Sequence, residues 1–103
     1  SARRRIESPR PEELTVIDSF ELPVEGPVTV IFNTIGSIEE IRDGWRVRVG
    51  RVVADILPAW RPARSRVTDN MYNAAGEPCR ALMMEAAASR THRLVTLIRL
   101  SMP

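Results

Sequence analysis

Apolar and polar positions alternate with period two along much of the chain. In residues 14–22, Leu14, Val16, Asp18, Phe20 and Leu22 fall on one face and Thr15, Ile17, Ser19 and Glu21 on the other, the pattern of a half-buried strand. Residues 23–26 supply turn chemistry and 27–34 are rich in β-branched side chains, so the two stretches predict a hairpin. Ser37 and Glu40 have the spacing of a capping box, and Gly44 limits any helix there to about two turns. Trp45, Val47 and Val49 then alternate with Arg46 and Arg48. This extended run continues past a bulge at Gly50 to Leu57, where Pro58 and Pro62 stop it.

The second half of the chain reads differently. Val67, Met71, Ala74 and Ala75 recur at helical spacing before Gly76, a residue suited to a left-handed helix end, and predict a helix over 66–75. Pro78 suits a first helical position, and Cys79, Leu82, Met83 and Ala86 share a helical face over 79–89. Together these predict an αα-hairpin. Residues 93–101 fit either periodicity, and Val95, Thr96 and Ile98 favour a strand. The expected fold class is therefore α+β. A small, mostly antiparallel sheet, made of the N-terminal hairpin, the 45–57 strand and the 93–101 strand, packs on a helical hairpin.

Residues 1–13 carry Pro9, Pro11 and one large apolar side chain, Ile6, and are expected to form a disordered Arg/Pro-rich arm, leaving 14–103 as a single domain. The chain starts with serine, which leaves a removed signal peptide open, although no segment resembles one. No stretch is long and apolar enough to span a bilayer as a helix. A chain of 103 residues, 44% hydrophobic, suffices for one packed domain. At this size only about 60–70% of the unfolded surface is buried, so a partner chain would add stability.

Charge sharpens the picture. All 15 cations are arginine and lysine is absent. A GC-rich coding sequence explains this, as does a compact gene whose frame overlaps another. Each cation is then a planar fork that can hold carboxylate or phosphate bidentately. The net charge of +2 hides a division. Residues 14–41 hold five carboxylates and no arginine, whereas 42–66 hold seven arginines against Asp43 and Asp55. Such segregation is answered inside the fold, between copies of the chain, or by an outside anion.

Catalytic chemistry finds little support. The single cysteine excludes an internal disulfide, and Cys79 with His92 leaves too few soft ligands for an ordinary structural zinc site. On the predicted helix, Cys79 would gain from the helix N-terminus but would lie roughly 20 Å from His92, too far for a nucleophile–base pair. Glu39 and Glu40 are adjacent, so they do not face one another as an acid–base pair. No cofactor-binding or hydrolase motif occurs, so neither catalytic residues nor a cofactor is assigned.

The basic block is the main constellation. Arg46, Arg48 and Arg51, then Trp60, Arg61, Arg64 and Arg66, combine guanidinium forks with one indole, the general recipe for single-stranded or irregular nucleic acid. Arg3, Arg4 and Arg5 of the arm would add phosphate contacts. The structural alternative makes Arg46 and Arg48 a solvated sheet face and Trp60 a core plug. The expectation is a non-enzymatic binding or assembly protein, oligomeric, with an arginine-rich surface for RNA or single-stranded DNA. Its size, arm and lysine-free composition suit a viral or phage structural or accessory protein, cytoplasmic or nuclear. The alternative is an interaction module whose arginines and Trp60 dock an acidic protein; a small enzyme with Cys79 as nucleophile ranks third.

Overall fold

A computed structural model describes residues 1–72 and 74–102, with the side chains of Asn70 and Met71 left aside. Among the described residues the protein is all β. The strands are β1 (Ala2–Arg10), β2 (Glu13–Thr34), β3 (Ser37–Ile41), β4 (Gly44–Val49), β5 (Val52–Pro58), β6 (Arg64–Tyr72) and β7 (Pro78–Ser101). They form one antiparallel sheet in the order β1-β2-β7-β5-β4-β3, with β6 also pairing β7.

The expected α+β class is thereby overturned. Of residues 66–75, predicted as a helix, 66–72 lie in β6 and Asn73 falls outside the described residues, while 79–89, predicted as its partner, belong to β7. Helix-forming residues are common in β7, with Ala, Leu, Met and Glu over 81–88. Position overrides propensity here. This half of β7 is paired on both edges, by β2 and β6. Leu82, Met84 and Ala86 are buried while Met83 and Glu85 between them are only half-buried, a set whose apolar members also satisfy helical spacing. The capping-box segment is likewise strand, β3. The 93–101 stretch is strand as expected, forming the end of β7.

Three further expectations change. The predicted hairpin over 14–34 is instead one long strand, β2, whose two halves each pair with β7 around an irregularity between Glu21 and Val28. The 45–57 run, read as one bulged strand, is the β4–β5 hairpin. Gly50 takes φ 58° in its turn, a conformation that favours glycine. The arm expected to be disordered runs along β2 as β1, with Ala2 opposite Phe20 and Glu7 opposite Thr15. Its nine residues are all exposed, so cross-strand pairing rather than burial holds it.

The long β2–β7 ribbon folds back on itself near its irregularity, and its inner face makes the core. Val30 and Ala86 from one half meet Leu94 from the other. Leu82 and Met84, both fully buried, meet Val47 of β4 and Ile56 of β5. Each of these valine, leucine, isoleucine and methionine side chains contributes about 1.5–3 kcal/mol on burial. Trp60, on the link between β5 and β6, packs against both clusters and ties the halves together. Gly44 allows the close approach of β5, since a Cβ there would run into the Ile56 carbonyl.

Candidate anion-binding surface

The outer face of the broad half of the sheet carries a row of alternating charge. Strand register places Glu39, Arg46, Asp55, Arg99, Glu13 and Arg10 in succession across β3, β4, β5, β7, β2 and β1. Opposite charges directly across strands stabilise a sheet, and like charges there destabilise it. Arg46 is the most firmly held member. Its Nε donates to Asp55 Oδ1 at 2.8 Å and its Nη2 to Oδ2 at 3.1 Å. This hydrogen-bonded fork holds the Asp55 carboxyl below the usual carboxylate range, against the opposing effect of partial burial, and the charges of Arg46, Arg99 and Arg48 add to it. The Arg46 guanidinium is correspondingly raised, first by its bond to Asp55. Arg48 meets Glu39 more loosely, at 3.4 Å in solvent. Arg51 is exposed in the β4–β5 turn.

Beyond Pro58 the arginines are differently placed. Arg61, Arg64 and Arg66 are all exposed, and no carboxylate lies within ion-pair distance of them among the described residues. Arg64 and Arg66 sit on the same face of β6, above an open groove of about 480 Å³ that Thr29, Ser65, Met83 and Glu85 also line. Glu85 is the cross-strand neighbour of Arg64 and the groove's one carboxylate. Trp60 is not part of this groove. Its indole N–H donates to the buried Thr96 hydroxyl at 3.2 Å, and its ring packs on the core.

The three N-terminal arginines divide by the alternation of β1. Arg4 points inward, donating from Nε to Asp18 Oδ1 at 2.6 Å and from Nη2 to Oδ2 at 3.1 Å, with its guanidinium 5.0 Å from the centre of the Phe32 ring. Arg3 and Arg5 point outward. They share a small pocket of about 140 Å³ with Ile17, Ser19 and Arg93. Sequence patterning does not single out Arg93. It lies on the phase opposite Leu94, Thr96 and Ile98, which Val95 and Leu97 share, and strand pairing alone brings it into one row with Ser19 and Arg3.

Cys79 stands at the start of the bent β7 and His92 near its middle. Cys79 is a buried free thiol at the start of a strand, so the helix N-terminus expected beneath it is absent. His92 is buried near the fold of the ribbon. Its Nε2 lies 3.0 Å from the Gly26 carbonyl and 3.1 Å from that of Ser89. Both are acceptors, so Nε2 carries the proton. Phe20 meets the imidazole edge to face at 6.3 Å. No group of three or more metal-ligating side chains occurs among the described residues. Among the described residues no helix is long and apolar enough to cross a membrane. No known protein family matches the chain, and no curated protein or solved structure does so either.

Proposed function

We propose that the protein is a non-catalytic binding module that holds single-stranded nucleic acid, RNA in the first instance, along Arg61, Arg64 and Arg66. The observation that carries this reading is the contrast within one basic block. Arg46 has its fork on Asp55 and Arg48 a single loose contact with Glu39, whereas the three arginines around β6 are exposed and unpaired among the described residues. An extended strand sets Arg64 and Arg66 about 6.6 Å apart, the scale of neighbouring phosphates in an extended single strand. The Met83 side chain and the Thr29 hydroxyl offer apolar and polar contacts to bases in the same groove. Trp60 braces this segment from below rather than stacking on a base.

Fluorescence anisotropy with a 12-nucleotide RNA at several salt concentrations tests the reading. Affinity should fall steeply with salt, and Arg61, Arg64 and Arg66 changed together to Gln should reduce the log–log salt slope by about 0.7 for each phosphate that is no longer neutralised. Arg46→Gln should leave that slope unchanged. Salt-insensitive binding, or none, removes the proposal; capture of an acidic peptide by the same three arginines would replace it with a protein-docking role. Self-association belongs to the same proposal. The Gly26–Thr34 part of β2 pairs only with β7, and Ile31 beside that open edge is exposed. Light scattering at two concentrations should show a species larger than one chain, and a strict monomer would dismiss it.

A further inference from the structure

We propose that Arg3, Arg5, Arg93 and Ser19 form a pocket for a single phosphate group, taken as the dianion of a phosphomonoester. The pocket is separate from the β6 groove and does not depend on it. Strand register builds it: Arg3, Ser19 and Arg93 form one row across β1, β2 and β7, and Arg5 lies in the next row opposite Ile17. All five side chains face the same cavity of about 140 Å³, several times the roughly 30 Å³ that one water occupies in the liquid.

No carboxylate lines the cavity. Glu7 meets Arg5 from outside it, 3.1 Å from Nη2 on an exposed edge. Glu21, exposed, is the next residue on that face beyond Ser19, while Arg3 and Arg93 have no ion pair among the described residues. Three guanidinium groups around one small space repel one another unless an anion sits between them. In the neighbouring charged row of this face, by contrast, Asp55 answers Arg46, and Arg99 stands between Asp55 and Glu13. Here the central position of the row is a serine, which leaves the acceptor role to a ligand. Ile17 is buried, 8% exposed, and gives the pocket an apolar floor that strengthens charge-assisted bonds above it. Planar forks from two sides and a hydroxyl between them match a tetrahedral oxyanion, which accepts bidentate pairs at its edges and a hydrogen bond at a remaining oxygen.

The phosphate can belong to the end of a nucleic acid or to a small phosphorylated metabolite; the recognising chemistry is shared. Calorimetric titration with inorganic phosphate at constant ionic strength reads the pocket directly. Saturable one-site binding is expected, weakened about tenfold by Arg3→Gln or Arg93→Gln and about threefold by Ser19→Ala, with Arg66→Gln as an unaffected control. Phosphate at a hundred times its Kd should raise the thermal midpoint by on the order of 10 °C in the wild type. That shift should shrink in the variants, whose unliganded midpoints report that they fold. No saturable binding below 10 mM, or binding equal in the wild type and in both arginine variants, overturns the proposal. A 5′-phosphorylated RNA that outcompetes its 5′-hydroxyl twin assigns the phosphate to a nucleic-acid end, and preference for a sugar phosphate assigns it to a small molecule. Either result upholds the pocket. Loss of RNA binding at the β6 groove without loss of phosphate binding separates this site from the function proposed above.

Discussion

The inner and outer faces of the folded sheet each hold a bidentate arginine–aspartate pair of almost the same geometry. Arg4 and Asp18 meet at 2.6 and 3.1 Å, Arg46 and Asp55 at 2.8 and 3.1 Å. Their surroundings differ. The Asp18 side chain is 5% exposed and its partner lies over Phe32, whereas Asp55 keeps 22% of its side chain in solvent. Inside, a carboxylate is tolerated only because a fork satisfies both oxygens at once, and removing the fork strands a buried charge. Outside, water replaces a missing partner cheaply, so the charged row sets register more than it holds the fold. The same logic makes the Arg3–Ser19–Arg93 row informative, because there the outer face leaves cations unanswered.

The largest expected effects therefore lie on the inner face. Leu82→Ala, at a fully buried position between β2 and β6, should destabilise by about 3–5 kcal/mol in urea unfolding at pH 7. A loss under 1 kcal/mol would mean that the two halves of the ribbon do not close on each other there. Next comes Arg4→Ala, expected to cost about 2–3 kcal/mol. This is less than a fully buried pair would lose, because 40% of the Arg4 side chain is solvated. Replacing Arg4 with Met and Asp18 with Leu together should recover most of that loss. If the double variant is as unstable as Arg4→Ala, the packing of β1 on Phe32, and not the charge, is what matters.

Much of the strand half of this molecule is legible in the chain. The alternation of Trp45, Val47 and Val49 with Arg46 and Arg48 survives as β4, and Leu94, Thr96 and Ile98 lie on one phase of β7. Two physical features hide the rest. In β7, Leu82, Met83 and Met84 are consecutive apolar residues in a strand with neighbours on both edges, and such a run has no period to read. In β2, Pro23, Gly26 and Pro27 carry turn signals, yet they mark a bend within one strand whose halves pair with a distant segment. Local sequence cannot distinguish that from a hairpin. The candidate sites divide in the same way. The arginine-rich block is visible as composition, but which forks are taken depends on register. Arg46 faces Asp55 and Arg4 faces Asp18, while Arg3 faces a serine and joins an arginine far away in the chain.

A smaller effect sharpens the division between bracing and binding. Trp60→Phe keeps the ring in the core but removes the hydrogen bond to Thr96, whose hydroxyl is fully buried. It should cost about 1 kcal/mol and leave RNA affinity within twofold. A large loss of affinity with unchanged stability would return the indole to the binding surface.

The smallest effect belongs to the outer pair, and pH isolates it. The folded-state carboxyl of Asp55 is held below its ordinary value, chiefly by the fork of Arg46. Its contribution to stability is therefore complete above the unfolded carboxylate value, about 3.9, and drains away as pH falls through the lower folded value. Between pH 5 and 8 the urea midpoints of wild type and Asp55→Asn should run parallel. Below about pH 4 the two curves should begin to converge, and they should meet once pH has fallen through the lower folded value, where the wild-type carboxylate is neutral as well. Arg46→Gln should lower the neutral-pH midpoint less than any of the inner-face changes, and added salt should shrink even that difference. Curves that stay parallel down to pH 2 would mean that the outer row contributes nothing through charge, and that strand pairing alone keeps β4 and β5 in register.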